Sequence, residues 1–152
     1  MAEVAKGKFF DEFEIGATHA TGARTLTEAD IVNFAGLSGD FNPLHTDEEF
    51  ARGTPFGRRI AHGMCVASIA TGLANSTGIF EGTTIALMTM TINYKGPVFF
   101  GDTIRMVLRV TERKETKKPD RGVVVLSTEA INQRGETVID GTWSLMMKRS
   151  QG

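Results

Sequence analysis

The strongest constraint on the fold is a change of hydrophobic period near Gly82. Beyond it, side chains of two kinds alternate over four successive segments, at residues 87–94, 103–110, 123–131 and 138–147. A period of two is typical of strands with one buried face, and the sequence Asn-Gln-Arg-Gly at residues 132–135 predicts a tight hairpin turn. Strands that follow one another without helices predict an antiparallel sheet, to which residues 18–24 add a short fifth strand.

The segment before this sheet has a different character. Residues 62–73 are small or apolar on every side, which predicts a helix that is buried all round. A buried helix combined with a long antiparallel sheet makes an α+β architecture in which the sheet wraps the helix. The chain has 152 residues, the length of one ordinary domain, so we expect residues 1–152 to form a single domain.

Two shorter helices are indicated by capping signatures. Thr27 begins the sequence Thr-Glu-Ala-Asp, which resembles a capping box, and apolar residues follow it at helical spacing as far as residues 36–39. The sequence Thr-Asp-Glu-Glu, beginning at Thr46, repeats the signature and predicts a short helix that ends at Gly53. The residues between these two helices are therefore confined to a short connection.

That connection carries the most reactive pair of side chains in the sequence. Asp40 and His45 lie five positions apart, with Pro43 between them. Pro43 disfavours helical geometry at Asn42 and removes a backbone donor, so we expect a bent loop wedged between two helix ends. Such a loop can aim a carboxylate and an imidazole at one point, as an acid/base pair.

An acid/base pair in a pocket closed from bulk water can hold one water molecule and exchange protons with it. This arrangement suits the addition of water to a double bond, or its removal. With an α,β-unsaturated thioester, negative charge develops on the thioester oxygen, which needs backbone donors, ideally at a helix N-terminus. Gly63 opens the predicted buried helix and has no Cβ to block a close approach, so its amide is the candidate donor.

Three segments resemble the MaoC-like (R)-specific enoyl-CoA hydratase family: FAGLSGDFNPLH at residues 34–45, IAHGM at residues 60–64 and PVFFGDT at residues 97–103. The similarity runs from about Phe10 to Met147. It implies a hot-dog fold, in which a curled antiparallel sheet wraps a long helix, and a homodimer that can assemble further. It also implies reversible hydration of trans-2-enoyl-CoA to (R)-3-hydroxyacyl-CoA in fatty acid metabolism, without a cofactor.

The resemblance also assigns individual residues. Carried over position by position, it makes Asp40 and His45 the catalytic pair that orients water, and the Gly63 amide the oxyanion donor. Thr71 falls where relatives carry a serine near the active site, so Thr71 is a candidate substrate contact.

Other polar residues near the motif have two interpretations each. Asn42 either shapes the loop through its side-chain amide, which we favour, or contacts the substrate. Arg58 and Arg59 are candidates to bind the phosphates of coenzyme A, with solvated surface positions as the alternative.

His62 is either a second base or, as we favour, a structural histidine that bonds to backbone and fixes Gly63. We expect Cys65 to be a small buried hydrophobe rather than a nucleophile.

Two competing functions use the same fold. A hot-dog acyl-CoA thioesterase needs a carboxylate on or near the central helix, and no Asp or Glu occurs between His62 and Phe80. A non-catalytic acyl-thioester binding subunit is disfavoured by the intact acid/base pair.

A metal site is a third alternative. Its candidate ligands lie in or near the motif: Asp40, His45, Asp47, Glu48 and His62. However, the acidic residues after Thr46 suit the first turn of a helix without a metal, and no Cys pair or His-x-x-x-His spacing occurs. We therefore expect no metal.

Composition limits the partners. The formal net charge is −1, which does not favour nucleic acid or an anionic membrane as a partner. No apolar run approaches the roughly 18 residues that span a bilayer, and no signal peptide is recognisable. Cys65 is the single cysteine, which fits a reducing compartment. We expect a cytoplasmic enzyme whose partner is an acyl-CoA thioester.

Overall fold

The computed structural model describes residues 7–150. After a single 3-10 turn at Phe10–Glu12, the strands are β1 (Thr18–Thr25), β2 (Thr84–Tyr94), β3 (Thr103–Glu115), β4 (Arg121–Ile131) and β5 (Thr137–Lys148). The helices are α1 (Glu28–Ser38), α2 (Pro43–Thr46), α3 (Glu48–Arg52) and α4 (Gly63–Ser76). No helix among the described residues is long and apolar enough to cross a membrane.

All five strands form one antiparallel sheet in the order β1-β3-β4-β5-β2. The predicted strands are confirmed, although β2 begins three residues before the predicted segment at residue 87 and β3 runs on to Glu115. Strands β1 and β2 are the two edges of the sheet. The predicted α+β architecture, a curled sheet around one long helix, is therefore confirmed.

Helix α4 supplies one side of the core. Its buried residues pack with buried strand residues of the sheet: from the helix Cys65, Val66, Ala67, Ile69, Ala70 and Ala74, and from the strands Ile104, Met106, Leu108 and Leu126 among others. The expectation that this helix is buried on every side is wrong for the single chain. Met64, Ser68 and Gly72 are exposed, because the sheet covers only one face of the helix.

The capping prediction at the first helix is confirmed. The Thr27 hydroxyl accepts a hydrogen bond from the Asp30 amide, and the Asp30 carboxylate accepts one from the Thr27 amide. Helix α1 ends at Gly39, which has a left-handed conformation with φ of 76° that favours glycine. This sharp end turns the chain directly into Asp40.

The connection after Asp40 differs from the predicted loop. Pro43 begins a four-residue helix, α2, with the Asn42 side chain as its cap. The reason is that proline disfavours helical geometry in the residue that precedes it but is well suited to the first position of a helix, where no amide donor is needed. The next helix is capped by Asp47 rather than by Thr46, whose hydroxyl instead donates to the carbonyls of Phe41 and Asn42.

Candidate active site

A cavity of about 740 Å³ lies at the N-terminal end of α4. Most of its lining is apolar, with contributions from Phe34, Phe56, Ile60, Val66, Val98 and Ile139. Asp40, His45, His62 and Gly63 also line it. The structure therefore brings the three predicted catalytic residues to one apolar pocket, together with His62.

Asp40 enters this cavity from the end of α1. Its amide donates to the Ser38 hydroxyl at 3.1 Å, and its carboxylate accepts the Asn42 amide at 3.1 Å. No other hydrogen bond to the carboxylate is formed within residues 7–150. Asp40 is exposed to solvent, so one of its oxygens is free to bind water or substrate.

His45 is held by the main chain in one tautomer. Its Nδ1 donates to the carbonyl oxygen of Ile60 at 2.8 Å, so the ring proton is on Nδ1. In the neutral ring, Nε2 then carries a lone pair and is an acceptor. The half-buried ring is thus prepared to take a proton at Nε2.

His62 joins the cluster from the start of α4, where it is the N-cap residue. Its Nε2 donates to the Asp40 carbonyl oxygen at 2.9 Å, and its ring stacks on the His45 ring with centroids 3.9 Å apart. The favoured prediction of a histidine bonded to backbone is confirmed. Its contacts with both members of the acid/base pair were not foreseen, because 22 and 17 positions of sequence separate them and no local pattern reports such contacts.

His62 also contains an unusual polar atom. The residue is 2% exposed, and its Nδ1 has no hydrogen-bond partner among the described residues. Leaving a buried acceptor without a partner typically costs about 1–3 kcal/mol. The stability of the fold alone therefore does not account for a histidine at this position.

Gly63 presents its backbone to the same cavity. No side chain of the described residues caps this end of α4, and within that part of the chain the Gly63 amide has no acceptor. A Cβ built on Gly63 would lie 2.5 Å from Cε1 of Tyr94, whose ring covers this helix end. An unpaired amide at a helix N-terminus, next to an acid/base pair, can stabilise negative charge on a bound oxygen.

The arrangement of the two histidines is poorly suited to a metal ion. Asp40, His45 and His62 each place one potential ligand atom within 4.8 Å of the other two. However, the two imidazole rings are stacked, with planes that differ by only 28° and centroids 3.9 Å apart, and ligands of a metal ion instead point their lone pairs at one common centre. Of the other two weighed ligands, Asp47 caps α3 and Glu48 pairs with Arg59.

The remaining predicted residues lie outside the acid/base cluster. The Asn42 side chain caps α2, which confirms its favoured role in shaping the loop. Arg58 is exposed and stacks on Phe99, with its guanidinium carbon 4.1 Å from the ring centroid. The Thr71 hydroxyl donates to the Ser68 carbonyl at 2.7 Å, and Thr71 is not among the cavity-lining residues.

Arg59 is already neutralised by two acidic side chains. Its guanidinium contacts the Glu28 carboxylate at 2.5 Å and the Glu48 carboxylate at 2.8 Å. These two hydrogen bonds raise its pKa. Arg59 therefore links α1 to α3, whereas Arg58 has no ion pair within residues 7–150.

Cys65 is buried, as predicted. Burial raises the pKa of its thiol, and the nearby Asp30 carboxylate raises it further. A thiol with a raised pKa is a weak nucleophile at neutral pH, so its position supports packing rather than chemistry.

Comparison with known families gives one extensive match. The model of the MaoC like domain matches residues 12–133 of the chain. The (R)-specific enoyl-CoA hydratase of Rhodospirillum rubrum is 32% identical over 139 residues, covering 91% of both chains. That of Aeromonas caviae is 36% identical over 113 residues, covering 74% of this chain and 80% of the relative. A 3-hydroxybutyryl-CoA dehydratase of Methylorubrum extorquens is 34% identical over 68% of this chain and only 64% of its own length.

Solved structures share the same architecture. A structure from Archaeoglobus fulgidus, described as a monoamine oxidase regulatory protein, superposes with a TM-score of 0.90 at 37% identity. The superposition covers 96% of this chain and 97% of that one. A Mycobacterium tuberculosis protein described as a double hotdog fold has a TM-score of 0.82, over 95% of this chain and 45% of that one. At 22% identity this second likeness shows the fold alone, and it confirms the predicted hot-dog fold.

Proposed function

This chain belongs to the MaoC-like dehydratase family, and we propose that it reversibly adds water to trans-2-enoyl-CoA to give (R)-3-hydroxyacyl-CoA. One observation carries the proposal: Asp40 and His45 meet in an apolar cavity, beside the unpaired amide of Gly63. A base, an acid and an oxyanion donor are the groups that hydration of an enoyl thioester requires.

The proposed reaction begins with water held by Asp40 and His45. Its oxygen forms a bond to Cβ of the enoyl group as the π bond between Cα and Cβ breaks and its electrons move toward the thioester carbonyl. One O–H bond of the water breaks, and the proton passes to the acid/base pair. The same pair delivers a proton to Cα, so that water is consumed and no proton is gained or lost overall. The lone pair at His45 Nε2 supports a role as the proton acceptor, because the Ile60 carbonyl holds the ring in that tautomer.

We propose that the Gly63 amide stabilises the intermediate of this reaction. As water adds, negative charge moves onto the thioester oxygen, and a donor already aimed at that oxygen needs no rearrangement. The position of Gly63 at the first turn of the 14-residue helix α4 adds the favourable end of the helix dipole.

Substrate binding is proposed for the exposed polar residues around the cavity. Arg58 is the stronger candidate for a coenzyme A phosphate, because Arg59 is already paired with Glu28 and Glu48. Asn42 contributes by fixing the loop that carries Asp40. The predicted substrate contact of Thr71 remains a prediction.

An assay that follows the C=C double bond and the C–S bond of the substrate at once tests this function. Loss of the enoyl-thioester absorbance of a short trans-2-enoyl-CoA reports hydration, whereas release of free thiol reports hydrolysis. We expect the first without the second, and a 3-hydroxyacyl product that an (R)-specific dehydrogenase oxidises. Thiol release at the same rate would instead support a thioesterase, and the absence of both reactions with tight acyl-CoA binding would support a binding subunit.

We also propose that two copies of the chain associate. The edge strand β2 carries exposed apolar side chains, namely Ile85, Leu87 and Met88. An apolar edge strand is a surface that a second copy can pair and cover. Sedimentation at micromolar concentration should show a species of twice the 16.5 kDa chain mass or a multiple of it, and a purely monomeric species would contradict the proposal.

A further inference from the structure

Two histidines join the catalytic loop to the start of α4 through two hydrogen bonds that run in opposite directions. His45, on the catalytic loop, donates to the carbonyl of Ile60, just before α4. His62, at the start of α4, donates back to the carbonyl of Asp40 on the catalytic loop. We call this reciprocal pair of bonds, with the stacked His45 and His62 rings between them, the histidine clasp.

We propose that His62 is a positioning residue that fixes the Asp40–His45 pair relative to the Gly63 amide. The proposal rests on the function proposed above. His62 acts on Asp40 through a main-chain hydrogen bond and on His45 through the face of its ring. His62 is also the residue that immediately precedes Gly63. The position of its ring therefore determines the distance between the acid/base pair and the Gly63 amide.

Two neighbouring rings pack against the ring of His62. The ring of His45 covers one part of it, and the Phe34 ring lies 5.0 Å away, tilted by 57°. With the Nε2 proton committed to the Asp40 carbonyl, Nδ1 is buried without a partner in the described residues. An apolar side chain would fill this space without an unpaired acceptor, so filling space does not explain a histidine here.

The consequence of misplacing such groups is large in proton-transfer reactions. A displacement of about 1 Å can reduce a rate by roughly 10²-fold even when every reacting group is present. His62 controls such displacements for both members of the pair. Its loss should therefore reduce kcat while leaving binding of the acyl-CoA, and hence KM, much less affected.

Two variants separate the two contacts. His62→Phe keeps a ring that can stack on His45 but has no donor for the Asp40 carbonyl. His62→Gln keeps a donor but has no ring. We expect each to lower kcat roughly 10- to 100-fold, whereas His19→Gln, on the remote strand β1, should leave it unchanged. Circular dichroism and thermal melting establish that each variant is folded.

A double-mutant cycle distinguishes positioning from a general structural role. If His62 acts through Asp40, then His62→Phe should lower the residual rate of Asp40→Asn by less than about 3-fold, because the group that it positions is already disabled. If His62→Phe does not fold, the cycle is run with His62→Gln against His45→Gln, because the glutamine keeps a donor for the Asp40 carbonyl and removes only the ring that stacks on His45. A full additional loss of rate in the double mutant would overturn the proposal, as would a wild-type kcat in His62→Phe.

A spectroscopic measurement tests the clasp independently of activity. Long-range ¹⁵N–¹H spectra report which ring nitrogen carries the proton, and the chain has only three histidines to assign. We expect the proton on Nε2 in His62 and on Nδ1 in His45, and a change in the His45 ring signals in His62→Phe. The reverse tautomers, or unchanged His45 signals, would overturn the clasp. An inactive wild-type protein with the expected tautomers would refute only the proposed function.

Discussion

Asp40 and Asp102 both lie in turns beside the ends of regular elements, yet their surroundings are opposite. Asp40 is exposed, and its carboxylate accepts a single main-chain hydrogen bond within the described residues. Asp102 is 4% exposed, and its carboxylate accepts hydrogen bonds from the Gln133 side chain at 2.7 Å and the Phe99 amide at 3.0 Å. The guanidinium of Arg134 lies 3.4 Å from the same carboxylate.

The difference separates groups that hold the fold from groups that are free to react. Both carboxylate oxygens of Asp102 accept hydrogen bonds inside the protein, so its charge fixes the corner between β3 and the β4–β5 turn. Around the cavity the opposite holds, because an oxygen of Asp40, the His45 Nε2 and the Gly63 amide have no protein partner among residues 7–150. Unpaired polar groups that converge on an apolar cavity indicate chemistry.

The largest expected effect is the loss of activity when the catalytic pair is altered. Asp40→Asn and His45→Gln nearly preserve volume but remove a proton-transfer group, so each should lower kcat by roughly 10²–10⁴-fold. Melting temperatures should stay close to that of the wild type. Because the two residues act as one unit, the double variant should be little slower than either single variant. Near-normal turnover by either variant would place the acid/base chemistry elsewhere.

The next effect concerns the unpaired amide of Gly63. Losing one oxyanion donor typically costs about 2.7–4 kcal/mol of transition-state stabilisation. A Cβ at this position meets the ring of Tyr94, which is 54% exposed and can swing away. Gly63→Ala and Gly63→Val should therefore depress kcat by roughly 10²–10³-fold with little change in the free energy of unfolding.

Two controls sharpen the Gly63 experiment. Gly53→Ala, on the surface after α3, should hydrate enoyl-CoA at the normal rate. Removing the tyrosine ring with Tyr94→Ala in the Gly63→Ala background should not restore activity, because the added methyl group would still obstruct the approach of the substrate to the amide. Full recovery in that double variant would show that the tyrosine, rather than the amide, controls the rate.

Asp102→Asn should have the opposite effect to the variants of the cavity. It should lower the free energy of unfolding and have no specific effect on the chemical step. Breaking hydrogen bonds to a buried charged group costs about 1–3 kcal/mol. Burial by itself raises the pKa of Asp102, but hydrogen bonds from Gln133 and Phe99 and the charge of Arg134 lower it below the ordinary 3.8.

The lowered pKa fixes the sign of the pH dependence. A carboxyl group with a lower pKa in the folded state contributes its full stabilisation well above 3.8, and this is lost as the pH falls below that value. Urea unfolding should therefore show a gap in the free energy of unfolding between wild type and Asp102→Asn at neutral pH, and this gap should narrow as the pH falls below 3.8. A gap that persists unchanged in acid would mean that the charge of Asp102 does not stabilise this corner.

The smallest effect is expected from Arg134→Ala. Half of this side chain is exposed, and its ion pairs with Asp102 and Glu136 are screened by water. Exposed pairs contribute about 0–1 kcal/mol, so the melting temperature should change little and the change should diminish at high salt. A loss as large as that of Asp102→Asn would mean that the ion pair, not the hydrogen bonds from Gln133 and Phe99, holds the corner.

The features that the sequence predicts well are those set by neighbours along the chain. The capping box at Thr27, the position of α4 and the alternating strands depend on residues a few positions apart, and all are found in the structure. The approach of Asp40 and His45 to one cavity also follows from a short segment. The local conformation at Pro43 is wrong, because proline is compatible with both a loop and the first position of a helix. The capping role of Thr46 and the burial of α4 on every side are also wrong.

The features that sequence reasoning missed depend on contacts between distant segments. His62 meets Asp40 and His45 only after the chain has folded, and Asp102 meets Gln133 across 31 positions. Likewise, no pattern near Arg59 reveals that Glu28 neutralises it. The motif at residues 60–64 does mark His62 as unusual, but its hydrogen-bond partner is the backbone carbonyl of Asp40, which leaves no trace in side-chain identity.

The contact between His45 and Ile60 has a consequence for how the proposed hydratase can diversify. Ile60 lines the cavity, yet it holds His45, the proposed base, only through its carbonyl oxygen, which every amino acid possesses. Substitutions at this position can reshape the wall of the cavity while the acceptor that orients His45 is inherited unchanged. We therefore expect substitutions at residue 60, whether natural or selected from a library, to change the acyl-group preference while His45 keeps its orientation.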